Sequence, residues 1–364
     1  MVKTILKSRS TSRRSIFSIL CLTATLGVSS CALTENAERF RQEADRAVAR
    51  ADYALAESQL QKALAHDQST GGKSSPDVAT DLVALGKLYD KEGRFNEATE
   101  LLSRSLTIRE AAIRPGLLEL TRTLDAMGNS LASQGKLEQA QSMLEQSLQI
   151  REENLPAGSV EIAESKNSLA PICSANGDFD RAEQLEQQSL QTFEKLRGRD
   201  DPATANVRNN LAALLVAQGK YTQAEPLLRW SETCYEKTYG PLHPEVAMVL
   251  NNLGELYRAE RRLADAEDQF RRAEAIYEKT PGLSQSPYLG TILNNLALTY
   301  AMDHRYTDAE PLYKRSIVIF DGTSGISDAN LVNALKNYST MLRATSRPAD
   351  AAIIERRLSR IASI

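Results

Sequence analysis

Two rows of asparagine recur from residue 167 onwards in this 364-residue chain. Asn167, Asn209, Asn251 and Asn294 form one, and Asn210, Asn252, Asn295 and Asn337 the other, each stepping by about 42 residues. A carboxamide carries both donors and an acceptor. A row of them can pair with the N–H and C=O groups of an extended peptide while reading little of its sequence. The same amides can instead bond a neighbouring helix, and for any single asparagine the two roles weigh equally. A run through successive periods favours a ligand-holding row.

Side chains suited to catalysis are scattered. His66, His243 and His304 stand alone, without metal-ligand spacing. His243 precedes Pro244 and reads as a helix cap. Gly71-Gly72-Lys73-Ser74 echoes the end of a phosphate-binding loop, but position 67 is Asp67 and no strand precedes it, so it reads as a link. No Gly-x-Ser-x-Gly or His-Glu-x-x-His occurs, and the abundant acids read as solvated helix faces. Cys173 falls at a core position and Cys234 on another repeat, so both are expected as buried free thiols. The expectation is a non-enzyme with no metal, cofactor or small-molecule substrate.

The elements that position the asparagines follow from two ladders of small residues. One runs through Ala56, Ala98, Ala140, Ala182, Ala224, Ala266, Ala309 and Ala351. The other, twelve residues upstream, runs through Ala44, Gly86, Gly128, Ala170, Ala212, Gly254, Ala297 and Ser339. Apolar residues recur at helical spacing around both, as in Val246, Leu250, Leu253 and Tyr257. Gly93, Gly135, Gly177 and Gly219 mark a turn between two helices, where a left-handed terminus suits glycine. Ser75-Pro76, Asp201-Pro202 and Ser286-Pro287 read as helix starts. The spacing predicts about sixteen helices and no sheet. Pro171, inside a first helix beside Ala170, predicts a bend or a notch.

Leu85-Gly86 with Tyr89, Gly93, Phe95, Ala98 and Leu102, and Leu296-Ala297 with Tyr300, Tyr306, Ala309 and Tyr313, resemble the tetratricopeptide signature. The long period, Leu250-Asn251-Asn252-Leu253-Gly254 and Gly240-Pro241-Leu242-His243-Pro244 resemble the kinesin-light-chain type of repeat. The resemblance covers residues 37–361 and implies an all-α, right-handed superhelical solenoid of about eight helix-turn-helix repeats. It also implies that first helices line a concave groove, the usual ligand site of such families, which places the asparagine rows there. The chain lacks the N-terminal heptad coiled coil of kinesin light chain, so only the architecture is carried over. Pro348 and Glu355 replace aromatic or apolar residues in the last repeat, as suits an end cap.

The N-terminus differs in kind. Lys3, Lys7, Arg9, Arg13 and Arg14 precede an apolar stretch from Ile16 to about Val28, too short to span a membrane. Val28-Ser29-Ser30-Cys31 resembles the bacterial lipobox. That resemblance implies removal of residues 1–30 and acylation (palmitate or a related chain) at Cys31, with residues 31–36 as a tether. The alternative is an ordinary secretory signal with an incidental cysteine. Ser12-Arg13-Arg14-Ser15-Ile16-Phe17 resembles a relaxed twin-arginine motif, although general secretory export fits a chain without a cofactor site. Ala32 is not the aspartate that retains lipoproteins at the inner membrane, so the expected place is the outer membrane, facing the periplasm.

Five of the 44 Lys and Arg and none of the 47 Asp and Glu precede Cys31, so the remaining chain has a net charge of −8. That balance disfavours nucleic acid and electrostatic binding to an anionic lipid surface. The expected function is a membrane-anchored scaffold that holds a peptide or helix of another protein in its groove. The alternative is a self-associating solenoid without a separate client.

Overall fold

In the computed structural model the described residues are 27–112, 116–323 and 329–361. They form sixteen α-helices in eight antiparallel pairs, with no strand among the described residues. Repeats 1 to 4 are α1 (Gly27–Val48) with α2 (Tyr53–Gly71), α3 (Pro76–Glu92) with α4 (Phe95–Ala111), α5 (Leu117–Ser133) with α6 (Leu137–Asn154), and α7 (Val160–Ala175) with α8 (Phe179–Leu196). Repeats 5 to 8 are α9 (Pro202–Ala217) with α10 (Tyr221–Tyr239), α11 (Pro244–Ala259) with α12 (Leu263–Lys279), α13 (Pro287–Met302) with α14 (Tyr306–Thr323), and α15 (Ala329–Ala344) with α16 (Pro348–Ile361). Each helix packs on its partner and on the next pair, as a solenoid requires.

The two ladders are where the helices of a pair meet. All eight alanines of the second-helix ladder have 0% exposure. At the first-helix ladder, a Cβ on Gly86 would lie 2.8 Å from Leu102 Cγ, on Gly128 2.7 Å from Leu144 Cγ, and on Gly254 2.6 Å from Phe270 Cε1. Each small residue therefore receives the bulky side chain four residues past its partner alanine. Starts and stops follow the expected chemistry. The Ser75 hydroxyl accepts from Val78 N–H, Asp201 from Ala203, Ser286 from Tyr288, and His243 Nδ1 from Glu245. Gly93, Gly135, Gly177 and Gly219 are left-handed, with φ of 80°, 74°, 85° and 74°. Repeats 6 to 8 make the same turn with Arg261, His304 and Ser346 at φ 64°, 60° and 58°.

Two polar stitches were not anticipated. Ser105, Ser147, Ser189, Ser231 and Ser316 each donate from a buried second-helix position to a first-helix carbonyl 26 residues earlier. Between repeats, a first-helix tyrosine donates to a glutamate of the preceding second helix, and an arginine clamps that glutamate. Tyr89 and Arg94 hold Glu57, Tyr300 and Arg305 hold Glu267, and Tyr338 and Arg347 hold Glu310. Arg347, with Lys314, brings the Glu310 carboxyl down to about 2.

α7 runs unbroken through Pro171, whose missing N–H falls in the last turns of the helix. α1 begins at Gly27, so residues 31–36, expected as a tether, have helical backbone; Ala32, Leu33 and Glu35 are good helix formers. Of the expected signal, residues 1–30, positions 1–26 lie outside the described residues, as does the side chain of Cys31. No described helix is long and apolar enough to cross a membrane.

Candidate functional site

The backbones of first helices approach one another in successive repeats from α3 through α15, whereas successive second helices meet through long side chains, as where Arg181 reaches Glu145 and Arg272 reaches Glu232. The first helices therefore crowd on the inner wall and the second helices splay on the outer one. The array winds far enough for distant repeats to meet. Lys91 Nζ, at the end of α3, donates to Glu245 Oε1 at the start of α11, 2.8 Å away. Gly93 abuts Pro287, and Gly135 approaches Ala329. Burial pulls the Lys91 ammonium down, but Glu245 outweighs it and the pKa ends above its ordinary value.

All eight sequence-predicted asparagines sit on these first helices, and the structure joins them in pairs across repeat boundaries. Asn210 donates to Asn167 Oδ1 at 3.0 Å, Asn252 to Asn209 Oδ1 at 2.9 Å, Asn295 to Asn251 Oδ1 at 3.0 Å, and Asn337 to Asn294 Oδ1 at 3.2 Å. Each bond links the front row of one repeat to the back row of the next. Asn251 and Asn295 also donate to Glu255, and Asn167 donates to Asn206. Asn209 and Asn295 are buried and the other six half-buried. Part of each amide's capacity is thus spent inside the wall. The Oδ1 atoms of Asn210 and Asn252 accept from no partner among the described residues, and both residues retain exposure on the inner face.

The earlier half of the wall is charged rather than amide-lined. Lys87, Asp125 and Glu164 come from the first helices of repeats 2, 3 and 4. Burial lowers the Lys87 ammonium, with Asp125 and Glu164 opposing that shift. Burial likewise raises Asp125 and Glu164, against the pull of Arg151. Arg151 itself meets Asp125 at 2.7 Å. Towards repeat 8 amides join the charges on the wall, where Glu255 accepts from Asn251 and Asn295.

Nothing described assembles a catalytic group. His66, His243 and His304 remain on separate repeats, and no cluster of three or more His, Cys, Asp or Glu able to hold a metal occurs among the described residues. Cys173 and Cys234 are buried free thiols, and burial raises both. Gly71 closes α2, and Lys73 and Ser74 lie exposed in the link that follows.

A tetratricopeptide repeat model matches six segments, residues 47–111, 91–153, 119–195, 161–237, 231–279 and 288–363. No curated protein matches the chain. Among solved structures, a Rap protein complexed with competence and sporulation factor is similar over 90% of this chain and 98% of its own, at 14% identity and a TM-score of 0.63. The Rap conjugation gene regulator of the plasmid pLS20, in complex with the Phr* peptide, is similar over 85% of this chain and 80% of its own, at 14% identity and a TM-score of 0.64. A putative kinesin light chain repeat protein of Podosopora anserina is 23% identical over 57% of this chain and 98% of its own, with a TM-score of 0.42. At these identities the likeness is one of fold alone.

Proposed function

The chain belongs to the tetratricopeptide repeat family, a fold that in general serves as a protein-interaction scaffold, and from that premise we propose that it holds an extended peptide or helix of another protein against its inner wall. The observation that carries this reading is the unspent acceptor capacity of Asn210 and Asn252 on that wall. Backbone N–H groups of an extended segment need such acceptors once they leave water. The two Rap structures of the same fold are complexes, one with the Phr* peptide, which supports a peptide as the occupant.

The same proposal puts this scaffold on a bacterial envelope membrane through acyl chains on Cys31, at the outer membrane and facing the periplasm, with the lipobox-like Val28-Ser29-Ser30-Cys31 as its support. Acyl chains contribute about 0.8 kcal/mol per buried methylene, so more than one makes attachment durable.

Photo-crosslinking in cells tests the groove. A photoreactive residue at Ala213, exposed on α9, is expected to capture a partner protein, and one at Gln187, exposed on α8, is not. Capture only from Gln187, or a purified protein that light scattering shows to be a homo-oligomer joined through the inner wall, would overturn it. The anchor is tested separately by labelling with a fatty-acid analogue. Label that persists after Cys31→Ser removes Cys31 from the account.

A further inference from the structure

The position four residues past each ladder alanine is filled by Leu60, Leu102, Leu144, Leu228, Phe270 and Tyr313, all apolar or aromatic and all buried. In repeat 4 it is Glu186. That side chain is 1% exposed, and neither carboxylate oxygen has a hydrogen-bond partner among the described residues. Burial alone raises its pKa well above the ordinary carboxyl value. The last repeat also has a glutamate here, but Glu355 accepts from Ser339 Oγ at 2.8 Å and from Arg343 at 2.7 and 2.6 Å. Repeat 4 supplies no such arginine.

An unpaired carboxylate in a solid core would be a plain defect. Glu186 instead borders a cavity of about 250 Å³ between α7 and α9. Ala170, Pro171, Ala175 and Ala213 make its sides apolar, and Ser174 and Asn210 add hydroxyl and amide groups. Pro171, Ala175 and Ala213 are exposed on the inner wall, so the cavity opens towards the groove. Asn210 already spends its N–H₂ on Asn167, which leaves its Oδ1 as an acceptor beside the opening.

A carboxylate, a carbonyl oxygen and apolar walls together describe one kind of guest. We propose that this cavity takes the basic side chain of a peptide lying in the groove, its cationic head on Glu186 and its aliphatic stem along the alanine and proline walls. The proposal rests on the peptide-groove reading above and adds the class of residue that is read. Both Glu186 oxygens lie beneath the cavity surface, so the side chain turns to meet a lysine or arginine head, which then donates to them in charge-assisted bonds. An apolar side chain of equal length leaves Glu186 buried and unpaired, and an acidic one adds a second negative charge. Discrimination therefore comes from the group already buried in the site, which is the stronger way to reject a wrong ligand.

The test selects phage-displayed random dodecapeptides on the full chain. One peptide position should enrich for lysine or arginine. Synthetic copies with norleucine or glutamate there should bind about tenfold more weakly or worse, as the loss of a charge-assisted bond requires. Comparing lysine and arginine copies shows which head group fits. Glu186→Gln keeps the shape and should abolish the preference. Glu186→Leu installs the residue that repeats 3 and 5 carry in the same place, so it should fold and bind peptides without basic selectivity. Selected peptides with no basic preference, or a preference unchanged in Glu186→Gln, overturn the cavity proposal and leave the groove intact. If the wild-type chain selects no peptide at all, the groove reading itself fails.

Discussion

Asn252 donates its side-chain amide to Asn209 Oδ1 at 2.9 Å and so ties α11 to α9 across a repeat boundary. The asparagine rows are therefore part of the wall as well as candidates for holding a ligand. A double-mutant cycle separates the two roles. Asn209→Ala strands the Asn252 donor and should cost about 0.5–1.5 kcal/mol in denaturant unfolding. Asn252→Ala should cost a similar amount, and the double variant little more than either alone. Additive losses would show that the clasp contributes nothing. Peptide affinity, measured on the same variants, should fall more for Asn252→Ala, which also removes the unpaired acceptor.

Glu186 links stability to pH with a definite sign. Its folded pKa lies above its unfolded value, because burial disfavours the charged form. Its protonated form is thus favourable to folding below an unfolded pKa of about 4.3, and that advantage is lost as pH rises through the folded pKa. Glu186→Gln should therefore match wild type in unfolding free energy near pH 3.5 and exceed it at pH 7.5. A variant less stable than wild type at pH 7.5 would mean that the carboxylate has a stabilising partner.

The close approach of α11 and α12 at Gly254 sets a steric prediction. Even a Cβ there would press on the Phe270 ring, at 2.6 Å. Gly254→Leu should overpack the pair and cost about 1–3 kcal/mol. Since each repeat touches mainly its neighbours, hydrogen exchange should speed up in repeats 5 to 7 and stay unchanged in α2. Uniform acceleration along the chain would instead indicate one cooperative unit.

What could be read from the sequence and what could not divide along physical lines. Ala98 and Gly86 announce a helix contact because only small residues fit it, and that requirement repeats with the fold. Cap residues such as Ser75 act within one turn of their own position, so they too were legible. The asparagine rows were legible as first-helix residues able to bond a neighbouring helix, but not with which partner, since Asn209 and Asn252 lie 43 residues apart and their bond depends on how far one repeat rotates on the next. The same rotation brings Lys91 to Glu245, 154 residues away, and no local pattern carries it. Glu186 escaped the sequence reading, although it is a charged residue in an apolar column, and only the packing of Pro171 and Ala213 around it reveals a cavity.

The inter-helix turn offers a stabilising change. Arg261 holds φ at 64° where Gly93, Gly135, Gly177 and Gly219 hold the same left-handed turn. That conformation costs an L-residue roughly 1–2 kcal/mol. Arg261→Gly should therefore raise the melting temperature even though glycine adds freedom to the unfolded chain. A lower melting temperature would mean that the Arg261 side chain makes a contact worth more than the strain.

Contacts between distant repeats set how tightly the array is wound, and two glycines allow them to be isolated. Gly93 and Gly219 hold the same turn at φ 80° and 74°, so alanine at either pays the same left-handed strain. At Gly219 nothing lies within 4 Å of the added Cβ, whereas at Gly93 it collides with the Pro287 ring at the start of α13. The nearby Lys91–Glu245 pair is 46% and 22% exposed and is worth at most about 1 kcal/mol, too little to hold the repeats together against that collision. Gly219→Ala should lose stability with its radius of gyration unchanged. Gly93→Ala should lose at least as much and also expand in small-angle scattering, as repeat 2 parts from repeats 6 and 7. Equal radii for the two variants would show that the winding is set by neighbouring repeats alone. An expanded Gly93→Ala that still binds groove peptides would place the ligand on the wall of successive first helices and not in the space between distant ones.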